Sequence, residues 1–162
     1  MALAFAEGLI DEISTYLAAN LPAKLDAIET AIGDSITLDD PTAYLRRDPS
    51  SSPRSAPELP LMFLVVPRTT IVAWHETSAE QNHQLWIYLI ARDNDAETLR
   101  KKMYRYARGI WETLVDHQFD TATWKAGIGA PPVFDFSPTM TNGNIVTADV
   151  RVEVQYEKLE TE

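Results

Sequence analysis

HQLWIYLIARD, residues 83 to 93, leads through the acidic turn Asp93-Asn94-Asp95 into ETLRKKMYRYARGIWETLVDH, residues 97 to 117. The first part is dense in aliphatic and aromatic residues and reads as a strand. Leu85, Ile87 and Leu89 fall on one of its faces, and Trp86, Tyr88 and Ile90 on the other. A strand with two apolar faces is covered on both sides. The helix that follows is one expected cover, and a partner protein is the expected other. Asp93, Asn94 and Asp95 are all good residues for capping the amino end of that helix. Leu99, Met103, Tyr106, Ile110 and Leu114 recur at helical spacing as its inner stripe, flanked by Ala107 and Trp111. The opposite face is read as Glu97, Lys101, Arg105, Arg108 and Glu112, where Glu97–Lys101 and Arg108–Glu112 are pairs four residues apart.

Upstream, Phe5, Leu9, Ile13 and Leu17 recur every four residues, so residues 4–20 are expected to be helical. Asn20-Leu21-Pro22 is expected to end that helix, because proline lacks an amide hydrogen and disfavours helix just before it. Pro22 then opens a second short helix with Leu25, Ile28 and Ile32 on one face, and Gly33 stops it. Residues 39–60 hold five of the ten prolines and four serines, with Arg46, Arg47 and Arg54 among them. No apolar period survives there, and a loop or arm is expected. Leu61–Val66 reads as a short strand closed by Pro67, and Thr69–Glu76 as a second. The region after Phe119, with Trp124, Gly127 and Gly129, reads as irregular. Val133–Met140 is a strand weakened by Pro138. Asn142-Gly143 marks a tight hairpin turn, because it tolerates positive φ. The last strand, Ile145–Leu159, alternates: Val150, Val152, Val154 and Tyr156 face one way, and Asp149, Arg151, Glu153, Gln155 and Glu157 the other.

The expected fold class is therefore α+β. A mostly antiparallel sheet of about four to five strands packs against a long helix, with amino-terminal helices and an arm at about 39–60. A chain of 162 residues is read as one domain able to bury a core without staples. It has no cysteine, which excludes disulfides and thiolate metal sites. Its net charge of −10 argues against general nucleic-acid binding, which needs clustered Lys and Arg. The start, MALAFAEGLIDE, lacks the basic region of a signal peptide, and the apolar run at 61–66 is far too short to span a bilayer. A protein made in the cytoplasm and without a membrane span is expected.

Catalytic patterns are weak. His75 and His83 are able to approach each other across a hairpin, but two histidines without a fixed carboxylate make a poor metal site. Asp39-Asp40 is a loop pair open to hydrolytic work, while Asp93 and Asp95 read as helix capping. GIGAPP lacks the spacing and the following Lys of a phosphate loop. No enzyme activity, cofactor or metal is expected.

The order of elements resembles the tail terminator (tail-completion) proteins of long-tailed bacteriophages. LWIYLIARDNDAETLRKKMYRYARGIWETL, residues 85–114, and NGNIVTADVRVEVQYEKLE, residues 142–160, carry the likeness, and the arm at 46–60 falls outside it. The resemblance implies a structural virion protein that forms a ring, hexameric in that family, at the end of the tail tube. It implies self-association, contact with the tail-tube protein and with neck or connector proteins, and DNA passing through the lumen without specific binding. A ring needs a head-to-tail interface that closes. On that reading the expected interface residues are Arg46, Arg47, Arg54, Trp86, Tyr88, Lys101, Arg105 and Arg108. The alternatives are another head–tail connector or stopper ring and, from a different class, a small dimeric α+β ligand-binding or regulatory module.

Overall fold

In the computed structural model, residues 6–47, 49 and 59–161 are described. They form two helices and eight strands, so the α+β class holds while the sheet is larger than four or five strands. Arg54 and Phe5 lie outside the described residues.

Helix α1 spans Glu7–Ile32 as one helix rather than two, and Pro22 lies inside it. An interior proline costs a helix about 3 kcal/mol. Against that, Leu9, Ile13, Leu17, Leu21, Leu25 and Ile28 form one buried stripe that runs straight through Pro22. Each fully buried Leu or Ile contributes roughly 1.5–3 kcal/mol. Breaking at residue 21 would forfeit Leu21, Leu25 and Ile28 together, so burial outweighs the proline. Gly33 ends the helix with φ of 69°, as its position predicts, but Ile32 is exposed.

Strand β1, Tyr44–Leu45, lies within the expected loop and pairs parallel with β2 at Met62 and Phe63. Strand β2, Leu61–Trp74, merges the two strands expected on either side of Pro67. Its pairing with β3 shifts register between Val65 and Arg68, and Pro67 sits in that shift. A proline is tolerated at a bulge on an edge strand, where no ladder bond needs its N–H. Strand β3, Ser78–Asp93, alternates as read, with Leu85, Ile87 and Leu89 fully buried.

Helix α2, Ala96–Leu114, is shorter than α1. Asp95 caps it by accepting from the Thr98 amide at 2.7 Å. The predicted inner stripe is buried in full. The chain then forms β4, Phe119–Asp120, and β5, Trp124–Ile128, in the region read as irregular. The weak strand near Pro138 is two pieces, β6, Val133–Phe136, and β7, Met140–Asn142. Gly143, with φ of 63°, turns β7 into β8, Ile145–Thr161.

Strand β8 organises the sheet. It pairs antiparallel with β3 from Val146 to Thr161 on one side, and with β5, β6 and β7 in turn on the other. The order is β1-β2-β3-β8-β5-β4, with β6 and β7 also on β8. Both helices contribute to one core cluster with the inward side chains of β3 and β8. A second, small cluster of Leu59, Leu61, Phe63 and Ile90 lies on the other face. No helix among the described residues is long and apolar enough to cross a membrane.

Candidate functional site

The alternation of β3 and β8 leaves one face beneath the helices and one facing away. The second is the outer face of the sheet. Trp86 and Tyr88 lie on it, half-buried, with rings edge to face at 6.4 Å. Register places Trp86 opposite Glu153 and Tyr88 opposite Arg151. The Arg151 guanidinium lies 4.5 Å from the Trp86 ring centroid and pairs with Asp135 of β6. Stacking over an indole suits a guanidinium, which keeps its in-plane donors for a carboxylate. Gln84 donates to Glu153 beside this group. The indole N–H of Trp86 and the Nε of Arg151 are buried and have no acceptor among the described residues. Further along the same face, Arg68, Thr70, Gln84, Pro131 and Gln155 line a trough of about 330 Å³. Asn82 lines both it and a larger polar cleft of about 510 Å³ near Glu80, Lys125, Glu157 and Leu159.

The face of α2 read as opposite the inner stripe differs in part from that reading. Lys101 does pair with Glu97, and Arg108 with Glu112. Arg105 is buried rather than on the exposed face, and its guanidinium takes both oxygens of Asp34. That bonding holds the Asp34 carboxyl down to about 2. Lys102 is likewise buried, 2.8 Å from Asp93. These cations find their counter-charge within the chain. The sequence reading missed it because Asp34 is 71 residues from Arg105. Arg46 is exposed and pairs with Asp11 of α1 at 2.9 Å, and Arg47 is exposed. Of the expected residues, the fold gathers Trp86 and Tyr88 on one patch and leaves Arg46, Arg47, Lys101, Arg105 and Arg108 elsewhere, while Arg54 lies outside the described residues.

His75 and His83 do not converge. His75 is exposed at the β2–β3 turn, whereas His83 is fully buried on the helix side. His83 Nδ1 lies 2.9 Å from the Thr69 hydroxyl, and burial first, then the nearby Lys158, pushes its pKa down to about 4. Around it lies a buried polar group that sequence reasoning missed. Gln81 donates to Glu160 at 2.9 Å, Lys158 pairs with Glu160 at 3.1 Å, and Lys158 stands 5.1 Å from the Trp124 ring centroid. The signal was present: Lys158 and Glu160 continue the inward period of Val150, Val152, Val154 and Tyr156. Among the described residues no group of three or more His, Asp or Glu is placed to hold a metal ion. Asp93 does not cap α2, a role that Asp95 holds; its carboxylate accepts from the Asn94 and Asp95 amides in the turn before the helix. Asp39 offers its backbone carbonyl to the Tyr106 hydroxyl. The carboxyl of Asp40 is raised by burial and by Asp26, Asp39 and Glu29.

No family model matches the chain, and no curated protein matches it. Among solved structures it is similar to one titled "Virion of native gene transfer agent (GTA) particle". That match has 15% sequence identity and a TM-score of 0.34, and it covers 87% of this chain and 94% of the other.

Proposed function

We propose that this chain is a structural subunit of a phage virion, a tail terminator whose copies close into a ring at the end of the tail tube. The observation that carries the reading is the outer face of β3 and β8. The helices leave this face uncovered, yet it presents Trp86 and Tyr88, the residue types most often found at the energetic centre of protein contacts. The strand–cap–helix order that carries the sequence resemblance supports the same reading, since β3, the Asp95 cap, α2 and β8 form one packed unit. On this reading the chain's partners are further copies of itself, the tail-tube protein and a neck protein. DNA passes through the lumen without being bound.

Native mass measurement, with and without tail-tube protein, tests it. Rings are expected, and a clean monomer or dimer under both conditions overturns the proposal. Trp86→Ala is expected to weaken assembly while leaving a folded monomer, because the ring is only half-buried and its neighbour Arg151 keeps Asp135. An insoluble, collapsed Trp86→Ala monomer would instead make Trp86 a residue of the monomer's own core.

A further inference from the structure

The sheet ends in two edges that have no outer strand among the described residues. On one side β1 covers β2 only at Met62 and Phe63, leaving Arg68–Trp74 open. On the other, β6 and β7 pair inward with β8 and with no strand beyond. Ten large apolar side chains are exposed among the described residues, and six sit on these edges: Ile71, Val72, Trp74, Val133, Phe134 and Met140. That concentration is not what a protected edge looks like. Edges are usually blunted by charge, and residues 69–74, TTIVAW, carry none. A row of unpaired amides and carbonyls is matched best by another extended backbone.

We propose that the open stretch of β2 in one copy adds to the β6–β7 edge of the next, joining copies head to tail through a continuous sheet. This rests on the ring reading only in requiring self-assembly. Three features make the two edges fit. First, β2 and β8 run one way while β3 and β6 run the other. Copies repeated head to tail keep those directions, so β6 meets the next β2 antiparallel, the slightly more stable pairing. Second, the side chains agree by face. Ile71 lies opposite Gln81 and Trp74 opposite Ala79, on the helix side, and Phe134 lies opposite Val152 on that same side. Tyr104 of α2, 4.9 Å from Phe136, extends the apolar surface beyond Phe134. Third, the charge on β6 does not obstruct pairing, because Asp135 faces away from the helices and is held by Arg151.

The test uses one blocked edge per variant. Val72→Lys spoils the β2 edge and Val133→Lys spoils the β6 edge. Both positions are exposed, so each variant is expected to keep the far-UV spectrum and cooperative melting of the parent. Alone, each is expected to be monomeric by native mass measurement. Mixed in equal amounts they are expected to give a discrete dimer, because one intact β2 edge and one intact β6–β7 edge remain. Trp74→Lys with Met140→Lys repeats the logic should either first variant fail to fold. A dimer formed by Val133→Lys alone means that β2 pairs with itself and overturns the proposal. A mixture that stays monomeric while the parent chain forms rings overturns it and leaves the ring reading standing. A parent chain that never assembles removes both.

Discussion

Gly109 of α2 faces Leu21, Leu25 and Ile28 of α1, and adding one methyl group there tests the helix packing directly. A Cβ built at Gly109 lies 2.7 Å from Leu25 Cδ2 and 3.5 Å from the Cδ1 atoms of Leu21 and Ile28. Carbon atoms in good contact sit about 3.5–4.0 Å apart, so the new methyl overlaps Leu25 by roughly 1 Å. Leu25 is fully buried, so its Cδ2 must shift against packed neighbours to make room. Two effects oppose each other in Gly109→Ala. Alanine is better than glycine inside a helix by about 1 kcal/mol. Overpacking a filled core costs about 1–3 kcal/mol. The net expectation is a loss of roughly 0–2 kcal/mol, despite a substitution that normally stabilises helices. Leu25→Ala alone is expected to cost about 2–5 kcal/mol through the void it leaves. In the double variant the methyl added at Gly109 occupies part of that void and the helix gain is no longer offset. The double variant should therefore be more stable than the sum of the singles by about 1–3 kcal/mol. Urea unfolding followed by far-UV circular dichroism, in the Val72→Lys background that is expected to stay monomeric, measures all four corners of the cycle. Additivity within about 0.5 kcal/mol would refute the close approach of the helices at Gly109.

Two further outcomes are expected. His83 is held neutral in the folded chain, with its pKa near 4 against 6.5 when unfolded, so the unfolded state binds more protons between those values. Stability is then full above about pH 6.5 and falls as pH drops towards 4, with a slope of at most about 1.4 kcal/mol per pH unit. Unfolding free energies at pH 7, 6 and 5 check this, and His83→Gln should flatten the profile; a flat profile for the parent chain contradicts the buried neutral imidazole. Pro22→Ala should restore the amide bond to the Ala18 carbonyl and raise stability by about 1–3 kcal/mol. A lower melting temperature for that variant would mean that the helix depends on the proline ring.

How much of this was legible depended on whether the signal was local. The β3–Asp95–α2 passage was readable because alternation, a capping carboxylate and a helical stripe all lie within its own residues. The same holds for Gly143 and β8. Proline was overread twice. Neither Pro22 nor Pro67 ends its element, because a continuous buried stripe outweighs the first and an open edge tolerates the second. The short strands β4 and β5 were invisible for another reason. Two and five residues carry too little pattern to stand out, and these strands exist because the edge of β8 between Tyr156 and Glu160 pairs with β5. The burial of Arg105 depended on Asp34, and no local rule connects them. The patch around Trp86 was half-legible. The second apolar face was plain, but Arg151 and Asp135 came to it only through the register of β8 and β6.

The central place of β8 also sets an order in time. While the chain is being made, α1, the β2–β3 hairpin and α2 leave the ribosome before residues 145–161, yet until those residues appear β6 and β7 have no strand to join and β5 has only the two-residue β4. Until then the inward side of β3, with Leu85, Ile87 and Leu89, lacks its neighbour along that whole edge. Native structure therefore arrives late and nearly at once, through pairings distant in sequence, which are slow to form and prone to aggregate while they wait. One consequence concerns assembly. The β6–β7 edge comes into being only when β8 is in place, so a nascent chain has no such edge to offer. Under the proposed edge-to-edge pairing, polymerisation would be confined to finished subunits, a form of quality control that comes from strand order alone.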